Sequence, residues 1–489
     1  MKRWLCASLA LIFYASLLPW SHADYLNYRA HDIVSDGGNI TGFDNITNTG
    51  YGGTSRSGDI ITKGPWVDVR AYGAVGNGTT DDTTAINTAI ATGKNVHLGD
   101  GTFLTTGNHS LANGADGQRF YGNGQGKTTL KRLSGTNELL RMTGKNFTKV
   151  SALTFDGSGF DNTSLYVAGT EQTVEDVAFK GTGGTSYALV TGGCNASRIK
   201  NIQFAGDNYG QLKTINSLYT SYSNMMGGSV NAAGYAILIT NDSNNLSFYD
   251  IYTEGRILID GSTASNPNIN FYSLSGETAL SSGTWFESNA SGNNNVNLYG
   301  VKLLHSGTST DPMFKLKGFG VSINGAYIRR TGVSAGAIFN LLDATNVSIK
   351  DVMDYNDTAH TFISSAADAN NITLINNYSH TAGAAATNVF TGSGMITSIG
   401  GNIKTTFASN ANNVTIIGSG GTINTAGFYS GTDLILIGNT NTITDAGGFA
   451  IKLYRQANVP DTDNTVNTMR DKINSIFTIL KNNGLMASP

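Results

Sequence analysis

Three short segments that follow one another along the chain, Val150-Ser-Ala-Leu153, Val174-Glu-Asp-Val177 and Ile199-Lys-Asn-Ile202, share one pattern. Each begins with an apolar residue and has a second apolar residue three positions later. Their starts are 24 and 25 residues apart. Segments of the same kind begin later in the chain at Phe248, Phe271, Leu298, Ile323, Ile349 and Leu374.

The repeat predicts a β-solenoid with one coil per period of about 25 residues. The interval between Ile199 and Phe248 is two periods, so a further coil is expected near Leu218 to Tyr222. Leucine-rich repeats have a similar length, but they need a leucine-dense consensus that this chain lacks. Val414 and Leu434 begin later segments only 20 residues apart, so the last coils are expected to be shorter.

Asparagine often precedes the repeated strand segment, which indicates a turn at the same place in successive coils. Such residues can hydrogen-bond from coil to coil, or they can simply tolerate turn geometry. Both interpretations favour a solenoid. The positions concerned are Asn245, Asn268, Asn295, Asn346, Asn371 and Asn413.

Residues 82–92 predict one short amphipathic helix before the repeats. Ala85, Ile86, Ala89 and Ile90 fall on one helical face, acidic residues are expected in the first turn, and Gly93 is expected to end the helix. Because a solenoid needs its ends covered, we expect this helix to close the N-terminal end.

The composition and the N-terminus suit an exported protein with many short strands. Charged residues make up 13% of the chain, which contains 61 glycines and 6 prolines. Residues 1–23 resemble a secretory signal, with Lys2 and Arg3 before an apolar run that is too short to span a bilayer. Removal of this segment takes away two of the 31 basic residues and changes the formal charge from −3 to −5.

The mature chain would therefore have no basic field for nucleic acid and no stable membrane insertion. Its only cysteine would be Cys194, which excludes an intramolecular disulfide. The 7 histidines show no metal-ligand spacing, so neither a metal nor another cofactor is expected. We expect the protein to be secreted or periplasmic, or to belong to a virion tail if it comes from a phage.

The motif Val67-Asp-Val-Arg-Ala-Tyr-Gly-Ala-Val-Gly-Asn-Gly-Thr-Thr-Asp-Asp82, followed by Ala85-Ile86-Asn-Thr-Ala-Ile90, resembles the N-terminal motif of the pectate-lyase-like superfamily. That group includes polygalacturonases, exo-acting polysaccharidases and bacteriophage tailspikes. The resemblance implies an all-β fold, a right-handed parallel β-helix. A Pro-Gly-Thr-Tyr-like turn is usual next, whereas this chain has Leu98-Gly-Asp-Gly-Thr-Phe103.

Together these features divide the chain into a signal peptide over 1–23, an extension over 24–64, the β-helix over 65–455 and a helical tail over 456–489. In the tail, Val466, Met469, Ile473, Ile476 and Leu480 are spaced as the apolar seam of a coiled coil. The amino-acid sequence of this tail resembles the terminal helix of phage tail proteins, which are commonly homotrimers. A lone helix packed on its own β-helix is an equal alternative.

Counting along each coil from its first apolar residue predicts which side chains share an exposed face. The residues four positions after each start are Tyr252, Ser275, Lys302, Tyr327, Met353 and Tyr378. The residues six positions after each start are Glu254, Glu277, Leu304, Arg329, Tyr355 and His380. Because stacked strands lie about 4.8 Å apart, these residues would form a strip of tyrosines, two carboxylates and several cations. A solvated face with mixed polar residues is the simpler interpretation.

The strip leads to two hypotheses of function. The first is an enzyme that cleaves a polysaccharide, with Tyr252, Tyr327, Tyr355, Tyr378 and His380 binding sugar. Glu254 and Glu277 would then form a hydrolytic acid–base pair. Alternatively, cations such as Lys302 and Arg329 would serve β-elimination on a uronic acid.

The second hypothesis is a non-catalytic glycan-binding adhesin or phage tail structural protein. The catalytic signature of polygalacturonases and the calcium-binding acidic cluster of pectate lyases are both absent from the sequence. We favour cleavage, and the absence of both signatures leaves the reaction open.

Overall fold

The structure of the protein is a computed structural model. It describes residues 66–381 apart from 206–208, 229, 231–233, 261–267, 332–335, 357–359 and 366–368, and it also describes the backbone of short strands on either side of this span. The expected signal peptide over 1–23, the tail over 456–489 and Asn413 lie outside the described residues. No helix of the described part is long and apolar enough to cross a membrane.

Two short antiparallel pairs precede the main sheet: β1 (Ser35–Asp36) with β2 (Asn39–Ile40), and β3 (Thr47–Asn48) with β4 (Gly53–Thr54). The first strands of the main sheet are β5 (Trp66–Asp68), β6 (Asn77–Asp81), β7 (Asn95–His97), β8 (Gly101–Thr105), β9 (His109–Ser110), β10 (Arg119–Tyr121), β11 (Thr128–Arg132) and β12 (Leu140–Met142).

The central strands are β13 (Lys149–Asp156), β14 (Leu165–Thr170), β15 (Thr173–Lys180), β16 (Tyr187–Asn195), β17 (Arg198–Ala205), β18 (Gly210–Ile215), β19 (Ser221–Gly227), β20 (Ile237–Thr240), β21 (Leu246–Thr253), β22 (Ile257–Asp260), β23 (Asn268–Thr278), β24 (Phe286–His305), β25 (Phe314–Arg330) and β26 (Phe339–Asn356). The last strands are β27 (Thr361–Ser365), β28 (Asn370–Ile375), β29 (Tyr378–Thr381), β30 (Thr387–Phe390), β31 (Ile396–Ile399), β32 (Lys404–Phe407), β33 (Val414–Ile417), β34 (Thr422–Asn424), β35 (Leu434–Ile437) and β36 (Thr442–Thr444).

The strands from β5 to β36 pair in parallel from coil to coil, which confirms the parallel β-helix. Each central coil has three segments, which we call faces A, B and C. In one coil they are residues 149–151, 153–156 and 165–170. The extra coil expected between Ile199 and Phe248 is present, because Tyr222 pairs with both residues. Val414 pairs with Leu434, as the shorter late spacing predicts.

A single left-handed residue forms the corner between faces A and B in successive coils. Its φ lies between 49° and 71° at Ala152, Asp176, Asn201, Asn224, Asp250, Ser273, Gly300, Gly325, Asp351 and Asn376. Asn201 Nδ2 donates to Asp176 Oδ1 at 2.9 Å, and Asn224 Nδ2 donates to Asn201 Oδ1 at 2.9 Å. Side-chain hydrogen bonds of this kind hold the corner residues in register.

The ladder expected at the start of face A is present in part. Asn268 Nδ2 donates to Asn245 Oδ1 at 3.2 Å, and Asn371 Nδ2 donates to Asn346 Oδ1. Asn245, Asn346 and Asn371 also have positive φ, between 52° and 57°. Coil-to-coil bonding and turn geometry therefore both apply at these positions.

The core is a column of apolar side chains that point inward from all three faces. Phe155, Phe179 and Phe204 stack with centroids 5.4 Å apart at each step. Phe248 and Phe271 stack at 4.4 Å, and both are fully buried. Such aromatic pairs add about 0.5–1.5 kcal/mol beyond the burial of their area.

The N-terminal motif is explained by two charged side chains that tie the first coils together. Arg70 donates to the carbonyl of Leu98 at 2.9 Å and stacks over Phe103. Asp82 is buried and accepts from the backbone N–H groups of Val75 at 2.6 Å and Gly76 at 3.1 Å. The motif therefore serves the fold.

The amphipathic helix is present as α1 (Thr83–Ala91), and Ala85, Ile86, Ala89 and Ile90 are buried as expected. Its first turn contains no acidic residue, because Asp81 and Asp82 precede the helix. That expectation was wrong, since Asp82 faces the loop before it. Two turns of 3-10 helix, Val69–Tyr72 and Leu111–Asn113, complete this region.

Candidate functional site

Strand pairing places the expected side chains of face B in two outward columns, which we call the face B strip. The first column contains Tyr252, Ser275, Lys302, Tyr327, Met353 and Tyr378. In the second, Glu277 pairs with Leu304, followed by Arg329, Tyr355 and His380. For these pairs the register counted from the sequence is the register of the structure, whereas Glu254 follows the last paired residues of β21.

Small or inward-facing neighbours turn the two glutamates outward. A side chain at Gly276 would collide with the buried ring of Trp285, only 2.6 Å from an added Cβ. Glu277 follows Gly276 and is exposed. Glu254 lies directly after the end of β21, between the buried Thr253 and Gly255, and is half-buried.

Tyr252 contacts Glu254 and lies within the electrostatic influence of Glu277. Its hydroxyl donates to Glu254 Oε1 at 3.4 Å. Burial raises the pKa of Tyr252 above its ordinary value, and the negative charges of Glu254 and then Glu277 raise it further. The phenol therefore stays protonated at neutral pH and donates its hydrogen bond to Glu254.

A surface pocket of about 170 Å³ opens beside Glu277. Its lining residues are Glu277, Leu304, His305, Ser306, Arg329 and Thr331. Glu277 and Arg329 lie two coils apart in the same column, which corresponds to about 10 Å along the helix axis. The pocket thus places a carboxylate and a guanidinium on opposite sides of a space that a polar group can enter.

The sequence analysis did not single out His305 in this pocket, because side chains alternate along the strand and His305 falls on the inward side. It is 2% exposed, and burial together with the nearby Arg330 guanidinium lowers its pKa. The imidazole is therefore neutral at pH 7. The sequence did contain one indication of this residue, namely a polar histidine at an inward position where an apolar residue is expected.

The remaining residues of the strip extend away from the glutamates. The rings of Tyr327 and Tyr355 lie 5.7 Å apart, tilted by 42°. Lys302 and Tyr378 are both exposed. His380 pairs through its backbone with Tyr355, and its side chain lies outside the described part of the structure.

The structure therefore gathers Tyr252, Glu254, Glu277 and Arg329 into one region and leaves Tyr378 several coils away. Within the described residues, no group of three or more His, Cys, Asp or Glu side chains is placed to hold a metal ion. The chemistry on face B is that of carboxylates, phenols and cations.

Residues 66–300, a little under half of the chain, match the family described as rhamnogalacturonase A/epimerase, pectate lyase-like. Over this span the chain is similar to that family, and its parallel β-helix agrees with the match. A search of curated proteins finds no match.

Two solved structures resemble this chain in fold. The A-module of Azotobacter vinelandii mannuronan C-5 epimerase AlgE6 is 14% identical, with a TM-score of 0.57, over 73% of this chain and 98% of the module. The tailspike of E. coli bacteriophage HK620, solved with a hexasaccharide, is 10% identical, with a TM-score of 0.53, over 84% of each chain. At these identities the likeness concerns the fold alone.

Proposed function

We propose that the protein binds a polysaccharide along the face B strip and hydrolyses it at Glu254 and Glu277. The observation that carries the proposal is the position of Tyr252. Its hydroxyl donates a hydrogen bond to Glu254, and the charge of Glu277 raises its pKa. The two carboxylates belong to adjacent coils, and strands stack about 4.8 Å apart. That spacing is close to the separation of about 5–5.5 Å used by retaining glycosidases.

In this mechanism one carboxylic acid protonates the glycosidic oxygen while the other carboxylate attacks the anomeric carbon. The bond to the leaving sugar breaks and a glycosyl-enzyme ester forms. Water, deprotonated by the first carboxylate, then releases the sugar and restores both groups. Tyr252 would hold one carboxylate in place, and Arg329 would contact a polar or anionic substituent in the neighbouring pocket.

The test is an assay of full-length protein with polygalacturonate, polymannuronate and dextran. We expect new reducing ends without the ultraviolet absorbance of unsaturated uronates. Glu254→Gln and Glu277→Gln should each lower turnover by about 100-fold or more, with unchanged thermal unfolding. Glu171→Gln, at an exposed glutamate away from face B, is the matched control.

Other results of the same assay lead to other functions. Unsaturated products would mean β-elimination, with Lys302 and Arg329 as the cations to replace next. Binding without any product would support a non-catalytic adhesin or tail protein. The exposed Met353 and Tyr378, 46% and 48% accessible, favour glycan contact in either case.

Export and assembly are separate proposals. We propose that residues 1–23 are removed on export, so mature protein should begin near Asp24 on N-terminal sequencing. We also propose that the apolar seam from Val466 to Leu480 supports a homotrimer. Sedimentation of the full chain and of a Met469→Asp variant would test this seam, because a charge there should yield monomers.

A further inference from the structure

Face A of the coils that carry the two glutamates presents a ladder of three tyrosines. The rings of Tyr249 and Tyr272 are 4.9 Å apart and inclined by 10°, and those of Tyr272 and Tyr299 are 5.2 Å apart and inclined by 7°. Tyr249 is 41% exposed and Tyr272 is 37% exposed. Together with Asn270 and Asn297 these tyrosines form what we call the face A strip.

The fold does not require tyrosine in this column. In earlier coils the same column contains Glu175 and Lys200, which form an ion pair at 2.9 Å. In later coils it contains Asn324 and Lys350. Three consecutive tyrosines are therefore a local feature of these coils.

The ladder exposes hydroxyls and ring edges rather than ring faces. Tyr272 is covered on both sides by its neighbours, and burial and then the two adjacent phenols raise its pKa. Beside it runs an amide column, in which Asn297 Nδ2 donates to Asn270 Oδ1 at 2.9 Å. Two residues along a strand are about 6.8 Å, so phenols and amides form parallel rows of hydrogen-bonding groups.

The charge of the strip selects the kind of ligand. The face A segments 245–249, 268–272 and 295–299 contain no lysine or arginine and no ionisable group besides the tyrosines, and the corner residue Asp250 is acidic. Such a surface has nothing to neutralise a carboxylate or sulfate. It offers donors and acceptors to uncharged hydroxyl groups.

We propose that the face A strip is a second glycan-binding site, which takes a neutral, hydroxyl-rich stretch of polysaccharide. The left-handed corner residues Asp250, Ser273 and Gly300 separate it from the face B strip. A rigid stretch of sugar therefore occupies one face or the other. The proposal rests on the proposed function only in that the ligand is again a glycan.

The experiment measures binding of the full chain to a printed array of neutral and acidic oligosaccharides. The triple variant Tyr249→Phe, Tyr272→Phe and Tyr299→Phe keeps the stacked rings and removes three hydroxyls. We expect its apparent affinity for neutral glycans to fall about tenfold or more, and that of Tyr272→Phe about threefold. Thermal unfolding should stay unchanged, because the stack remains.

The double variant Glu254→Gln with Glu277→Gln separates the two proposals, since it should lose turnover and keep neutral-glycan binding. Undiminished neutral binding by the triple variant overturns the face A site, as does an array on which wild-type protein binds no neutral glycan. A triple variant that changes only its sedimenting mass would mark this face as a contact between copies and would also overturn the site. The proposed function is tested separately by the product assay, whose outcome does not depend on these binding results.

Discussion

The hydroxyl of Tyr252 donates a hydrogen bond to Glu254 Oε1 at 3.4 Å, on a face that the solvent reaches. Glu277, one coil further along, adds its negative charge to the surroundings of the same phenol. Both carboxylates disfavour the tyrosinate, because it would bring a third negative charge to the same place. The two carboxylates therefore help to keep the phenol protonated.

Neutralising both glutamates should lower the pKa of Tyr252. In the variant with Glu254→Gln and Glu277→Gln, we expect the value to move back toward the ordinary 10.0 and to stay above it, because burial remains. The measurement is a pH titration of carbon-13-labelled tyrosine by NMR, with Tyr252→Phe to assign the signal. An unchanged pKa would mean that the carboxylates are not close to the phenol.

The corner residue Asn201 makes two ladder hydrogen bonds and has a φ of 54°. Asn201→Ala removes both bonds and leaves a side chain that disfavours the left-handed region by about 1–2 kcal/mol. Asn201→Gly removes the same bonds without that penalty. We expect alanine to lower the free energy of unfolding by about 1 kcal/mol more than glycine, as measured by urea denaturation. Equal losses would show that the corner geometry contributes nothing.

The sequence was sufficient for the coil register because the inward positions of each coil must be apolar. Counting from Phe248 and Phe271 placed Tyr252 opposite Ser275, as the strand pairing confirms. The corner between faces A and B was harder to predict from the sequence, because Ala152, Ser273 and Gly300 share a backbone conformation but no chemical type. The tyrosine ladder was overlooked because only the fourth and sixth positions after each start were compared, whereas Tyr249, Tyr272 and Tyr299 occupy the first.

The same rule fails where polar groups replace the apolar core. Asp354 and Arg330 point inward and are fully buried or nearly so. Asp354 Oδ2 pairs with His360 Nε2 at 2.5 Å and accepts from Ser379 Oγ at 2.9 Å. Arg330 Nη1 donates to the carbonyl of Gly336 at 2.8 Å. These partners lie on different segments, so spacing within one repeat could not predict them.

Asp354→Asn should strongly destabilise the coils around β26. The change removes the negative charge that offsets the buried Arg330, whose pKa burial lowers to about 10 against the effect of Asp354. Removing a charge that offsets a buried cation typically costs about 3–5 kcal/mol. Ser379→Ala, which removes one hydrogen bond to the same oxygen, should cost about 1 kcal/mol. Urea denaturation that ranks the two variants equally would contradict the role of the charge.

His109 anchors α1 to the first coils through two hydrogen-bonding contacts. Its Nδ1 lies 2.7 Å from Asn87 Oδ1 on the helix, and its Nε2 lies 2.7 Å from Thr105 Oγ1. The Thr105 hydroxyl accepts from the N–H of Gly107 at 3.0 Å and also lies 3.0 Å from the Thr83 hydroxyl, so its one proton can go to Nε2 or to Thr83. This arrangement fits a neutral ring that donates from Nδ1 and accepts at Nε2.

Stability should therefore decrease in acid because of His109. Burial lowers its pKa from 6.5 to about 3, with the charge of Asp81 opposing the shift. Below pH 6.5 the unfolded chain binds a proton on this residue, whereas the folded chain binds it only near pH 3. The free energy of unfolding therefore decreases as the pH falls from 6.5 to about 3. This group alone contributes a slope of about 1.4 kcal/mol per pH unit. His109→Gln should be less stable at pH 7 but lose less stability between pH 6 and pH 4, as followed by urea denaturation; parallel curves for the two proteins would contradict a neutral, buried His109.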